Sequence, residues 1–287
     1  MKCVSSADGV FHYVLGELSY DDFDKSGRIS MWKLSKLVEG ARRARNQSVG
    51  PHWGELDMLV FMRSQYFQIH PAFHNVKLTQ NHSVELTCTM SHLGQTSYCL
   101  ECKVWDLTVN KLLATVSTHA VFISQQTRRP IPVAAEAMRL SKTVPSSEKR
   151  PISGPQFPAR PVRCFSQTRA VMPSDTDSNQ HLNQAMFIRF CFDCAGSAAL
   201  QGKLSAFRND VLYADAKRLW ILYIREARVG EKLTLFCWED SDLNRTIWVE
   251  ICLEFQVIGQ CQIQFYEGLW CTNSEGDHDK GSPLAKL

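Results

Sequence analysis

Asp175-Thr176-Asp177-Ser178-Asn179-Gln180-His181-Leu182-Asn183 stands directly ahead of a helical pattern, and a related string, Asp22-Phe23-Asp24-Lys25-Ser26-Gly27-Arg28-Ile29-Ser30, stands ahead of another. After the earlier string Met31, Leu34, Val38 and Ala41 recur at three- and four-residue steps, with Leu37 beside them. After the later one the stripe is Phe187, Phe190, Cys191, Cys194, Ala195 and Ala198. That period places each set on one face of a helix. Each string also follows a strand-like segment, Phe11 to Tyr20 or Val162 to Met172. Each helix is then followed by about four strand-like runs. In the first half these are Gln65–Phe73, His82–Met90, Ser97–Asp106 and Leu112–Ser124; in the second, Val211–Glu226, Lys232–Trp238, Thr246–Gln256 and Gln260–Tyr266.

The halves therefore read alike: strand, polar turn, one long helix, antiparallel meander. Strands and helices do not alternate, which argues against a parallel α/β sheet. The pattern suits an α+β fold in which an antiparallel sheet wraps one central helix, the hotdog arrangement, here in tandem. Two such sheets can pair edge to edge, each covering the other's exposed edge strand. Seven of the eleven prolines fall between Pro130 and Pro161, the composition of an extended linker. The expected division is an N-terminal domain over 1–127, a linker over 128–161, a C-terminal domain over 162–270 and a tail over 271–287. An apolar insertion from Pro51 to Met62, including Trp53, Leu56 and Leu59, either lines a pocket or packs on the sheet.

Composition narrows the function classes. Apolar content of 44% and charged content of 21% are those of a globular chain. A formal charge of +3, with basic residues in short scattered runs, does not call for nucleic acid. The polar start, Met1 to Val10, lacks a signal-peptide core, and no apolar run reaches the roughly 18 residues of a membrane span. Leu219-Trp220-Ile221-Leu222-Tyr223-Ile224 reads instead as a buried strand. Eleven cysteines include two C-x-x-C spacings, Cys99 with Cys102 and Cys191 with Cys194. The first pair lies in an alternating run, so its members face opposite sides of a sheet; the second shares a helix face with Phe187 and Phe190. Neither has a partner pair nearby, so the expectation is free, mostly buried thiols in a reducing cytoplasmic compartment, with no metal and no cofactor.

The string at 175–183 carries the chemistry. A carboxylate, a carboxamide and an imidazole at alternate positions project from one side of an extended turn, with a helix N-terminus behind them. Hydrolysis of a thioester needs such parts: donors for an oxygen gaining negative charge, and a carboxylate or imidazole to attack or to activate water. The bland alternative is that Asp175 or Asp177 caps a helix and the rest is turn chemistry. In the first string Ser26 falls at Asn179, Arg28 at His181 and Ser30 at Asn183, so Asp24 persists but the amide and imidazole do not. One active half and one substrate-shaping half follows. Glu39 and Arg42, a helix-surface pair, read as structural.

At these residues the chain resembles the acyl-acyl carrier protein (ACP) thioesterase family, within the broader 4-hydroxybenzoyl-CoA-thioesterase-like hotdog group. That family has a second-domain motif close to D-x-N-x-H-x-N-N, and Asp177, Asn179, His181 and Asn183 fall on its polar positions. Its further catalytic Glu follows Tyr and Arg in a strand after the helix; Tyr223-Ile224-Arg225-Glu226 stands there. Leu93 to Ser97, Trp105-Asp106 and Thr127-Arg128-Arg129 are similar to its substrate-binding domain. The resemblance implies that Asp177, Asn179, His181 and Glu226 surround a thioester carbonyl and release a fatty acid from acyl-ACP or acyl-CoA. It leaves nucleophile and base unassigned. This chain departs from the pattern in having Ala227 where a Cys often follows the Glu, Gln184 for the second Asn, and Phe187 for a Tyr. Other readings are a non-catalytic acyl-thioester-binding protein and a hotdog enoyl hydratase or dehydratase. The latter spaces Asp and His five apart around a Pro, whereas Asp177 and His181 are four apart with none between. A homodimer is compatible with such a fold.

Overall fold

The computed structural model describes residues 2–7, 10–49, 58–78, 81–132, 152–207 and 210–267. Most of the Pro-rich stretch, residues 51–57 of the apolar insertion and the expected tail lie outside them.

Eleven strands form one antiparallel sheet around two helices. The first half holds β1 (Lys2–Ala7), β2 (Val10–Glu17), helix α1 (Met31–Val49), β3 (Met58–Ile69), β4 (Ser83–Leu93), β5 (Ser97–Asp106) and β6 (Lys111–Ser124). The second holds β7 (Phe165–Ala170), helix α2 (Gln184–Leu200), β8 (Ala216–Tyr223), β9 (Lys232–Glu239), β10 (Thr246–Leu253) and β11 (Gln256–Phe265). Their order across the sheet is β1-β2-β4-β5-β6-β3-β8-β11-β10-β9-β7. Apart from β1, that order reads the same from either end about the β3–β8 seam, so this is a tandem hotdog fold. The seam is antiparallel, from Ser64 opposite Leu222 to Gln68 opposite Arg218. Joining β3 to β8 removes an exposed edge from each half.

The two helices differ in environment. On α1 the stripe of Met31, Leu34, Leu37, Val38 and Ala41 is buried while the opposite side is polar. On α2 twelve of seventeen residues are buried, because the sheet covers one side and α1 packs on another. Phe190 is fully buried there, and its truncation to Ala is expected to destabilise the fold by about 3–5 kcal/mol.

Several boundaries depart from the sequence reading. Strand β3 begins at Met58, so the described end of the apolar insertion is strand; it pairs with β6 and lines the cleft with Val60 to Met62. Strand β1 was not expected; it pairs only with β2 at the sheet edge. Residues Val211–Tyr213 form a 3-10 turn ahead of β8 and not its first residues.

The cysteine expectation also needs correction. Cys88 of β4 and Cys102 of β5 face each other in register, with Cα atoms 4.2 Å apart, and form a disulfide. Seven other described cysteines are free, all but Cys164 buried. The spacing of Cys99 and Cys102 misdirects here, because cross-strand register and not sequence separation selects the partner.

Residues 152–161 lack strands or helices but lie on the outer face of the second-half sheet. The Phe157 ring stands edge-on to Trp238 at 5.7 Å and to Trp248 at 4.9 Å. Arg160 pairs with Glu250 at 2.8 Å and stacks over the Phe236 ring. A Cβ at Gly154 would come within 2.0 Å of the Trp220 ring, so only glycine fits that crossing.

Candidate active site

The string ahead of α2 is a closed turn and not the extended one expected. The Asp177 N–H donates to the His181 carbonyl at 2.9 Å, and the Gln180 N–H returns to the Asp177 carbonyl at 3.0 Å. Gln180 takes a φ of +62°, and Thr176 bridges Leu182. The Asp177 carboxylate locks this turn by accepting from the Asn179 N–H at 2.8 Å. An Asp that binds the backbone two residues on favours such a turn over an extended chain.

Turn closure sorts the polar side chains. Asp175 is buried and accepts from the Met172 N–H at 2.9 Å. Asn183 is buried as the N-cap of α2, accepting from the Ala185 N–H at 2.9 Å. Asn183 therefore caps α2, while Asp175 caps only the short 3-10 turn Pro173–Asp175 that leads into the string, by accepting from its N-cap Met172. Asp177, Asn179 and His181 are left at the cleft.

The end of β8 brings Glu226 to the same place. The Leu182 N–H donates to the Ala227 carbonyl at 2.8 Å and His181 bridges Arg228, lacing the turn to the chain after β8. His181 Nε2 consequently stands 3.5 Å from Glu226 Oε2. The other carboxylate oxygen, Oε1, accepts from Arg128 Nη2 in the first half. Ala227 is fully buried.

The cleft is about 210 Å³ and lies at the seam. The second half lines it with the four sequence-identified residues and with Gln184, Phe187 and Tyr223; the first half adds Glu39, two arginines of α1 and Val60 to Met62 of β3. Among the described residues no serine, threonine or cysteine side chain lines it. Glu39 is buried, accepts from Asn183 Nδ2 at 3.1 Å and pairs with Arg43 at 2.9 Å. Its partners are thus the next turn of its own helix and the cap of α2, where the sequence suggested Arg42. Tyr223 Oη lies 2.8 Å from Gln65 Oε1 and 3.2 Å from the Gln184 carbonyl. Burial holds this hydroxyl protonated well above the usual tyrosine range, with Cys261, Cys191 and Glu39 adding to the effect. Gln184 Nε2 is buried and has no hydrogen-bond partner among the described residues. An unsatisfied buried donor is uncommon and asks for an acceptor.

Glu39, Gln184 and Arg128 were not identified as site residues from the sequence. The available signals were the Gln184 substitution within the motif and the likeness of Thr127-Arg128-Arg129 to the family's substrate-binding domain. Arg128 and Glu226 are 98 positions apart, and no periodicity links them.

A cleft at the seam of paired hotdog units, with a polar turn at the N-terminus of the second helix, defines a class of architecture. Known structures share the fold over almost the whole chain. An acyl-ACP thioesterase from Bacteroides thetaiotaomicron superimposes with a TM-score of 0.71 at 16% identity, covering 91% of this chain and 100% of the other. The 12:0-ACP thioesterase from Umbellularia californica gives 0.67 at 15% identity, with 90% and 94% covered. An oleoyl thioesterase from Lactobacillus plantarum gives 0.68 at 16% identity, with 89% and 95% covered. The chain therefore has the tandem hotdog fold found in acyl-ACP thioesterases. No protein-family model matches the sequence, and none of the curated proteins matches it significantly.

Proposed function

We propose that the chain hydrolyses acyl thioesters, releasing a fatty acid from acyl-ACP or acyl-CoA, with Asp177, Asn179, His181 and Glu226 as its catalytic group. The observation that carries this is the convergence of the His181–Glu226 pair and the unpaired Gln184 amide at the N-terminus of α2. Among the described residues no serine, threonine or cysteine lines the cleft, and burial keeps the Tyr223 hydroxyl protonated, which favours attack by water or by a carboxylate. In the water route, His181, oriented by Glu226, takes the proton from water as it attacks the carbonyl carbon. The carbonyl oxygen gains negative charge and is met by the Gln184 amide and the positive end of α2. Collapse of that intermediate expels the thiolate, which takes up the proton from His181. Asp177 holds the turn that presents His181, and Asn179 stands at the mouth.

The first half, residues 1–127, shapes the acyl site in this reading, and residues 162–270 carry the chemistry, with 128–161 joining them. Its support is apolar surface continuous with the cleft: Val60 lines the cleft and packs on a cluster of Met58, Tyr98, Leu100, Ala120 and Phe122. Tyr98 and Leu100 lie on the same face of β5 as the core residues Cys102 and Val104, so an acyl chain entering past Val60 would run along the inner face of the sheet. Arg42, Arg43 and Arg225 at the cleft suit the anionic carrier of either thioester. Among the described residues no helix is long and apolar enough to cross a membrane. Six buried free thiols fit a cytoplasmic place in fatty acid metabolism, whereas the Cys88–Cys102 disulfide fits an oxidising one.

The test is thiol release from a panel of acyl-CoA and acyl-ACP thioesters, with His181→Ala as control. The expected result is turnover that falls by about 10²–10⁴ in the variant. Saturable binding of the panel with no turnover would replace hydrolysis by a binding role.

A further inference from the structure

We propose that Arg128 is a positioning residue of this site, reaching across the seam from the turn that follows β6, and that it sets the direction of the Glu226 carboxylate. The proposal rests on the hydrolase reading and extends it across the seam.

Arg128 sits on a built turn. Beyond β6, Ser124 Oγ accepts from the N–H groups of Gln126 at 3.2 Å and Thr127 at 3.1 Å. The Arg128 N–H donates to the Ser124 carbonyl, and the Ser124 N–H to the Arg129 carbonyl, both at 2.9 Å. Ile123 bridges Pro130, and the Ile131 N–H reaches the Phe122 carbonyl at 3.0 Å. This network holds Arg128 at a φ of +57°, the left-handed region that suits glycine and penalises a long side chain. A side chain kept in that region by its surroundings is the kind of strain that accompanies function.

What the conformation achieves is visible at its far end. The guanidinium reaches over the seam to Glu226 Oε1, which leaves Oε2 facing His181 Nε2. The Glu226 backbone is anchored: the Ile224 N–H donates to the Ile258 carbonyl at 2.9 Å, and the Ala227 carbonyl is bound by Leu182. Its side chain is 30% exposed, so without Arg128 the carboxylate is free to turn toward water. Of the neighbouring cations, Arg43 is engaged by Glu39 and Arg225 by Gln256. Arg128 acts through Glu226 and need not touch the substrate.

The experiment compares Arg128→Gly, which suits the backbone, with Arg128→Lys, in the full chain. Arg128→Gly is expected to lower kcat by about tenfold to a hundredfold, the effect of a small misplacement of a catalytic group, with KM nearly unchanged. Guanidinium ion at non-denaturing concentration should restore part of that loss, and Arg128→Lys should retain more activity than Arg128→Gly. In a Glu226→Gln background Arg128→Gly should cost nothing further. A fully active Arg128→Gly, a loss confined to KM, or an equal loss in the Glu226→Gln background overturns the proposal. An independent readout is the ¹⁵N-histidine spectrum, with the His181 ring signals assigned from His181→Ala. Arg128→Gly should displace those signals as Glu226→Gln does, and undisturbed signals overturn the proposal. If the unmodified protein turns over no thioester, the hydrolase reading fails, and the spectra alone decide the role of Arg128.

Discussion

In the first half the Asp24 N–H donates to the Arg28 carbonyl at 2.8 Å; in the second the Asp177 N–H donates to the His181 carbonyl at 2.9 Å. Gly27 has a φ of +72° where Gln180 has +62°, Phe23 bridges Ile29 as Thr176 bridges Leu182, and Arg28 bridges Lys77 as His181 bridges Arg228. Two residues back from those last bridge partners stand Asn75 and Glu226. One backbone thus carries two sets of side chains. In the second half they face a cleft. In the first they close against the other half: Lys25 pairs with Asp210, Arg28 with Asp215, and buried His74 reaches the Ala216 carbonyl at 2.8 Å. The turn is a scaffold set by its leading aspartate and its left-handed residue. The groups at its end and on the facing chain decide whether it becomes a site or a seal.

The comparison breaks most sharply if the two turns respond alike to substitution. His181→Ala and Asp177→Asn should each lower turnover by about 10²–10⁴, whereas Asp24→Asn should leave the rate nearly intact. A comparable loss at Asp24 would sink the assignment of activity to one half. Next in size is Gln184→Leu, which removes the unpaired donor while keeping bulk. Loss of one oxyanion donor lowers kcat by about 10²–10³ elsewhere, and an unchanged rate would remove Gln184 from the mechanism.

The seal should answer in stability and not in rate. Arg28→Ala leaves Asp215, which is 7% exposed, with only His74 Nδ1, at 3.7 Å, beside its carboxylate among the described residues. Urea unfolding should show a loss of about 1–3 kcal/mol with kcat unaffected. The smallest effect concerns pH. Burial lowers the His74 pKa from its ordinary 6.5, outweighing the Ala216 carbonyl and Asp215, which act to raise it. Below that value the unfolded chain takes up a proton that the folded imidazole resists, so the stability this group contributes is lost as the pH falls. Urea midpoints measured at about pH 7.5 and about pH 5.5 should differ less in His74→Gln than in the unmodified protein. An unchanged difference would show that other groups carry the acid sensitivity.

Much of the scaffold was legible from period alone. The stripes of α1 and α2 are buried as their spacing requires, and Ser97–Asp106 is a strand with the expected ends. Period failed at Met58, where strand and helix both accommodate an apolar run, and at β1, which is a sheet edge. At the site, Asp177, Asn179 and His181 were legible because they are neighbours in the chain, and Glu226 only through family resemblance. Glu39 looked like a surface helix residue, since nothing near it in the chain announces Asn183, 144 positions away.

The sequence by itself determined the repeated unit, the helix faces, the strand runs and the string of polar groups at 175–183. These are local properties, written by side-chain period and by residues whose hydrogen bonds reach only a few positions along the chain. Tertiary structure alone decided which polar groups meet. Closure of the turn aimed His181 at Glu226, cross-strand register joined Cys88 to Cys102, and the β3–β8 seam brought Glu39, Arg42, Arg43 and the run from Val60 to Met62 to the cleft, with Arg128 reaching Glu226 beside it. Contacts between distant strands depend on register and on the pairing of edges, and neither leaves a periodic trace in the chain.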